Sequence, residues 1–159
     1  MNQDLRTFYD LTQRTRAKVL DWLETLPPDV FTMQNDSFAY GSLSAIQTHV
    51  ADCYLWWVGA VGLGDAEEPE IEVNDVQALR IAFARVDAAV LQALDSFTDL
   101  DAPLIWISPS GEAATLSRRW LILHPITHEF HHKGQALALA RAIGYPHPGN
   151  PDTDLADPP

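Results

Sequence analysis

The stretch from Leu121 to Ile143 constrains this chain most, because four of its six histidines, His124, His128, His131 and His132, fall within nine residues there. The surrounding pattern is that of an amphipathic helix. At about 3.6 residues per turn those histidines and Gln135 lie within roughly 100° of the helix circumference, the width of a core-facing stripe. Leu121 and Leu139 continue the same stripe. An apolar seam interrupted by imidazoles, and by no other ionisable group, points to a bundle interior that needs nitrogen donors. A metal ion is the first candidate.

The rest of the chain reads as further helices. Over residues 4–25, Leu5, Phe8, Thr12, Thr15, Val19, Trp22 and Leu26 recur at steps of three and four, and Pro27-Pro28 ends the pattern. Thr12 and Thr15 are read as solvated edge positions of that seam. After a loop from Asp29 to Tyr40, Gly41 offers a turn and Ser42 an N-cap. The second helix then runs to about Gly62 with the seam Ile46, His49, Cys53, Trp56 and Ala60, which places His49 mid-helix on the buried side. An acidic loop follows over residues 62–73. Asn74 with Gln77 resembles a capping box, and Val76, Leu79, Phe83, Val86, Val90, Ala93 and Phe97 form a third seam. Leu104–Ser108 and Glu112–Thr115 flank a Pro109-Ser110-Gly111 turn and predict a small β-hairpin. The fourth helix spans about Leu116 to Ala142, with Pro125 marking a kink, Gly144 the C-cap and Pro146 just beyond. Four long helices with one seam each predict an all-α four-helix bundle, a single domain over residues 1–145, then a Pro-rich, poorly ordered tail over residues 146–159.

Composition narrows the function. Lys+Arg 10 against Asp+Glu 22 gives a formal charge of -12, and Arg118-Arg119 is the one basic cluster, so a nucleic-acid partner is not expected. Cys53 is the sole cysteine, which excludes an internal disulfide and fits a reducing cytosol. The N-terminus lacks a signal-peptide pattern, and the longest apolar stretch, around Leu55–Leu63, is too short to span a bilayer. These features lead us to expect a cytoplasmic protein without a membrane partner.

Two imidazoles at i and i+4 on a helix can reach one ion, and His128 with His132 has that spacing. His124 with His128 has it too, and His131 lies at the edge of the same arc, so spacing alone leaves the pair open. His49 on a facing helix can supply a third nitrogen. Three nitrogens leave a position for water or substrate, as in catalytic rather than closed structural sites.

Thr127-His128-Glu129-Phe130-His131-His132-Lys133-Gly134-Gln135, followed by Arg141-Ala142-Ile143-Gly144, resembles the fourth-helix signature H-x-x-x-H-[RK]-G-Q of the DinB/YfiT-like, damage-inducible superfamily. Gly41-Ser42-Leu43-Ser44-Ala45-Ile46-Gln47-Thr48-His49, followed by Trp56-Trp57, resembles its second-helix signature. The resemblance spans all four helices in order. It implies a divalent ion, zinc or nickel first and iron or manganese next, held by His49, His128 and His132, with His124 and His131 as neighbours. Gln135 would meet a metal-bound water or orient a ligand imidazole. Gly134 would let a helix approach closely, Glu129 and Lys133 would be exposed, and Cys53 would be a small buried side chain. Tyr54 stands where relatives often carry a glutamate, so an acid–base role cannot be carried over to that position. The resemblance further implies a homodimeric metal-dependent enzyme, a thiol-dependent S-transferase or a hydrolase, acting on a small electrophile with a low-molecular-weight thiol such as mycothiol or bacillithiol. The alternative is a non-catalytic, stress-induced metal-binding bundle.

Overall fold

In the computed structural model, which describes residues 3–65 and 72–149, α1 (Gln3–Glu24) stops just before Pro27-Pro28, and a short α2 (Pro28–Thr32) starts on the second proline. α3 (Leu43–Tyr54) opens at Ser42, whose hydroxyl oxygen accepts from the Ala45 N–H at 3.1 Å. The chain then continues as a π-helical segment, Leu55–Leu63, closed by Gly64 at φ 76° with its N–H on the Gly59 carbonyl. Gly62 permits this path: a Cβ there would come within 3.2 Å of both the Phe97 ring and the Trp57 carbonyl. α4 (Val76–Ser96) is capped by Asp75, which accepts from Ala78 N–H at 2.7 Å. The expected cap at Asn74 is therefore displaced by one residue, and the Asn74 amide instead donates to Glu72 at 3.0 Å.

The hairpin forms as expected, β1 (Pro103–Ile107) antiparallel to β2 (Ala113–Ser117) with Ile105 opposite Thr115. Ser117 then caps α5 (Arg118–Ala142), which starts two residues later than the periodicity suggested. α5 is helical on both sides of Pro125, and the Thr127 hydroxyl donates to the His124 carbonyl at 2.9 Å in that turn. It ends at Gly144, φ 94°, with Gly144 N–H on Arg141 O and Tyr145 N–H on Ala140 O, a Schellman ending.

The long helices α1, α3 with its π extension, α4 and α5 form the expected all-α bundle, with the hairpin just before the last helix. Among the described residues α3 and α5 share the most extensive helix–helix contact. Ile46, Leu79, Leu121, Ile122, Ile126 and Leu139 are fully buried at its centre, each worth about 1.5–3 kcal/mol of transfer free energy. No described helix is long and apolar enough to cross a membrane.

Two seams differ from expectation. In α1, Tyr9, Arg16, Leu20 and Leu23 are buried, while Phe8, Val19 and Leu26 are only half-buried. Thr12 and Thr15 are buried rather than solvated, and their hydroxyls are satisfied by donating to Phe8 O and Leu11 O, one turn back. In α3 and its extension the buried face runs through Ile46, Val50, Tyr54 and Val58, so the expected seam residues His49, Cys53 and Ala60 are only half-buried and Trp56 is exposed, while Trp57 packs on Trp106 at 5.1 Å. The acidic loop from residue 66 to 71 and the tail from residue 150 lie outside the described residues. Ahead of the latter, His147 packs edge-on against Trp22 at 5.0 Å.

Candidate metal centre

The Ser42 cap fixes where α3 begins, and seven residues later His49 faces α5 across the α3–α5 contact. On α5 the i, i+4 spacing brings His128 and His132 to the same point. His128 Nε2 lies 3.2 Å from His49 Nε2 and 3.1 Å from His132 Nε2. Among the described residues these three form the cluster whose donor atoms, all within 4.8 Å of one another, suit one metal ion.

Hydrogen bonding selects the ring atoms. The Gln135 carbonyl oxygen sits 2.7 Å from His132 Nδ1, so Nδ1–H donates and Nε2 carries the lone pair. The Tyr40 hydroxyl lies 2.9 Å from His49 Nε2, and with the phenol as donor that nitrogen carries a lone pair as well. A proton on His128 Nε2 can serve one of these two acceptors well, leaving nitrogen facing nitrogen. His128 Nδ1 is buried with no hydrogen-bond partner. Three converging imidazole nitrogens short of protons fit a divalent cation, which accepts every lone pair at once.

The electrostatics agree. Burial lowers the pKa of His49, His128 and His132. His128 falls to about 4, first from burial and then from the neighbouring histidines His132, His49, His124 and His131. Neutral rings at pH 7 are the form that ligates a metal.

Gln135 makes the imidazole contact expected of it, and its amide also donates to the exposed His131 at 3.1 Å. His124 stacks on Trp120 at 4.4 Å and 13°. Trp57 joins that pair, 4.9 Å from Trp120, and reaches Trp106 of the hairpin at 5.1 Å. An aromatic wall therefore runs from His128 to β1. Cys53 is half-buried and outside the cluster, with burial and then Asp52 pushing its thiol up to about 12. Gly134 is exposed, and a Cβ there would meet nothing within 4 Å, so no helix approaches it closely.

Glu129 is not exposed. It is 8% accessible and receives Arg16 through two bonds, Nε to Oε1 at 2.8 Å and Nη2 to Oε2 at 2.9 Å. The Tyr54 hydroxyl also donates to Oε2, at 2.7 Å. Arg16 Nη1 continues to Asp87 at 2.7 Å, where the Tyr9 hydroxyl donates at 2.6 Å. Arg16 lies over the Phe83 ring at 4.3 Å. Neither this network nor Tyr40 was visible to sequence reasoning. The one signal that could have found part of the network is Arg16, the charged residue at helical spacing from Thr12, Leu20 and Leu23 on the buried face of α1.

The sequence model of the DinB family matches residues 1–157. The chain belongs to the DinB family. Protein DinB of Bacillus subtilis (strain 168) is similar at 21% identity over 146 residues, covering 86% of this chain and 84% of that protein. This DinB-family bundle thus carries three histidines close enough to hold a metal ion, contributed by α3 and α5.

Proposed function

We propose that the chain is a divalent-metal-dependent enzyme, a thiol-dependent S-transferase or hydrolase acting on a small electrophilic substrate, with His49, His128 and His132 as the metal ligands. The observation that carries this reading is the convergence of three imidazole Nε2 atoms, His128 lying 3.2 Å from His49 and 3.1 Å from His132. A divalent ion held there supplies Lewis acidity, lowering the pKa of a thiol or water and polarising an electrophile. The protein's own residues do the rest. Gln135 holds the His132 ring in the tautomer that presents Nε2. Trp57, Trp120 and His124 give the substrate an apolar wall beside His128. With three protein nitrogens, a coordination position is left for an exogenous group. The homodimer expected for such an enzyme would use the hairpin's outward face, where Ile105 and Ile107 are 74% and 64% exposed.

A thiol-conjugation assay tests the reading. Low-molecular-weight thiols and an electrophile such as monochlorobimane are supplied to wild type and to His132→Ala, alongside a panel of hydrolase substrates. Wild-type turnover that disappears in the variant supports the enzyme. A wild type that binds metal yet turns over nothing favours a bundle whose ion only stiffens its core.

A further inference from the structure

We propose that Tyr40 is a positioning residue of this centre, its hydroxyl donating a hydrogen bond to the anion or thiolate that enters beside His49, His128 and His132. The inference rests on the metal reading above.

Tyr40 is the one non-glycine described residue with positive φ, 69°. A side chain with a Cβ is disfavoured there, so the surrounding loop must hold it. The hydrogen bonds that do so are local. Asn35 N–H donates to Gly41 O at 2.7 Å, Gly41 N–H to Phe38 O at 3.1 Å, and Ser42 N–H to Tyr40 O at 3.0 Å. Gly41, itself at φ 75°, holds a backbone conformation in which any side chain is strained.

The strained backbone delivers the phenol onto the histidines. Its ring stacks on His49 at 4.3 Å and 21° and meets His132 edge-on at 5.5 Å. Its hydroxyl is 2.9 Å from His49 Nε2, the nitrogen that faces the other two imidazoles. Yet the side chain is 47% exposed, so it contributes little to the core. Tyr9 and Tyr54 make the contrast, both fully buried with carboxylate acceptors of their own.

An ion at the cluster takes the His49 lone pair, and the Tyr40 hydroxyl then loses its acceptor. A donor left at the edge of a coordination sphere finds its replacement in the electron-rich atom bound at the position the protein leaves open. Tyr40 thereby favours anionic over neutral occupants and orients them toward the solvent-facing side of α3.

The test uses the cobalt(II)-loaded protein titrated with azide and followed by visible absorption. Tyr40→Phe should bind cobalt within about threefold of wild type but azide roughly tenfold or more weakly, the loss expected for one hydrogen bond to a charged group. Tyr40→Gly relieves the backbone strain. It should melt at or above the wild-type temperature while losing azide affinity to the same degree. Azide binding that is unchanged or tighter in Tyr40→Phe overturns the inference. So does a wild-type cobalt spectrum that azide leaves unaltered, or a Tyr40→Gly protein that melts lower with azide binding intact, the mark of a purely structural tyrosine. A wild type that takes up no divalent ion removes the metal reading itself, and this inference with it.

Discussion

His128 and Glu129 are neighbours on α5, yet they belong to clusters that treat their polar atoms in opposite ways. Around Glu129 each carboxylate oxygen has a donor, and the donors come from Arg16 of α1 and Tyr54 of α3, with Asp87 of α4 closing the far side. One residue or more from each long helix meets there, nearly dry and fully paired. Around His128 the partners are other imidazoles, His49 and His128 are partly open to solvent while His132 is buried, and ring nitrogens face one another. The difference teaches how to tell a staple from a receptor. A saturated buried cluster holds helices in register, whereas one short of protons is completed by something from outside.

Breaking the first cluster should have the largest effect. Glu129→Ala leaves the Arg16 guanidinium, 5% exposed, without its bidentate partner, at a cost of about 3–5 kcal/mol in urea unfolding. Metal uptake by the folded protein should be unchanged. Replacing both members, Arg16→Met with Glu129→Leu, should recover part of that loss, because no charge is then stranded. If Glu129→Ala instead unfolds normally but loses metal, the two clusters are one functional unit and the contrast fails.

A smaller effect sharpens the second cluster. Gln135→Ala releases His132 Nδ1, and chelator competition should show metal held about 10–100-fold more weakly. The metal-free protein should lose about 1 kcal/mol, the worth of the one hydrogen bond removed.

Acid gives the mildest separation. The cluster histidines have folded-state pKa values below the ordinary 6.5, His128 at about 4. The unfolded chain therefore binds more protons between those limits, and the metal-free protein should lose stability as pH falls from about 6.5 toward 4. Above pH 6.5 these groups contribute no slope. Thermal melts at stepped pH should show that the slope flattens in His128→Asn.

Much of this contrast was hidden in the sequence, for identifiable reasons. Periodicity carried the four long helices, because Val76 to Ala93 and Leu121 to Leu139 keep a regular step, and Ser42 and Gly144 mark real ends. The three histidines were reachable through local motifs on two helices, His49 and His128 being 79 residues apart, and α3–α5 packing brings them together. Glu129 was misread because a charged residue is ordinarily exposed, and its partner Arg16 is 113 residues away. Trp56 was misplaced because the seam was drawn through His49 and Cys53, which are half-buried, whereas the buried face runs through Ile46, Val50, Tyr54 and Val58. Tyr40 sits in a loop with no period at all, and its left-handed backbone leaves no mark in a residue type that rarely adopts it.

The central claim is that His49, His128 and His132 are a receptor for one divalent ion. Elemental analysis of protein purified without an affinity tag tests it most directly. The account predicts about one equivalent of divalent metal per chain in wild type, retained in Glu129→Ala and lost in His132→Ala. Less than about a tenth of an equivalent in wild type, not restored by zinc, nickel or manganese, would contradict it.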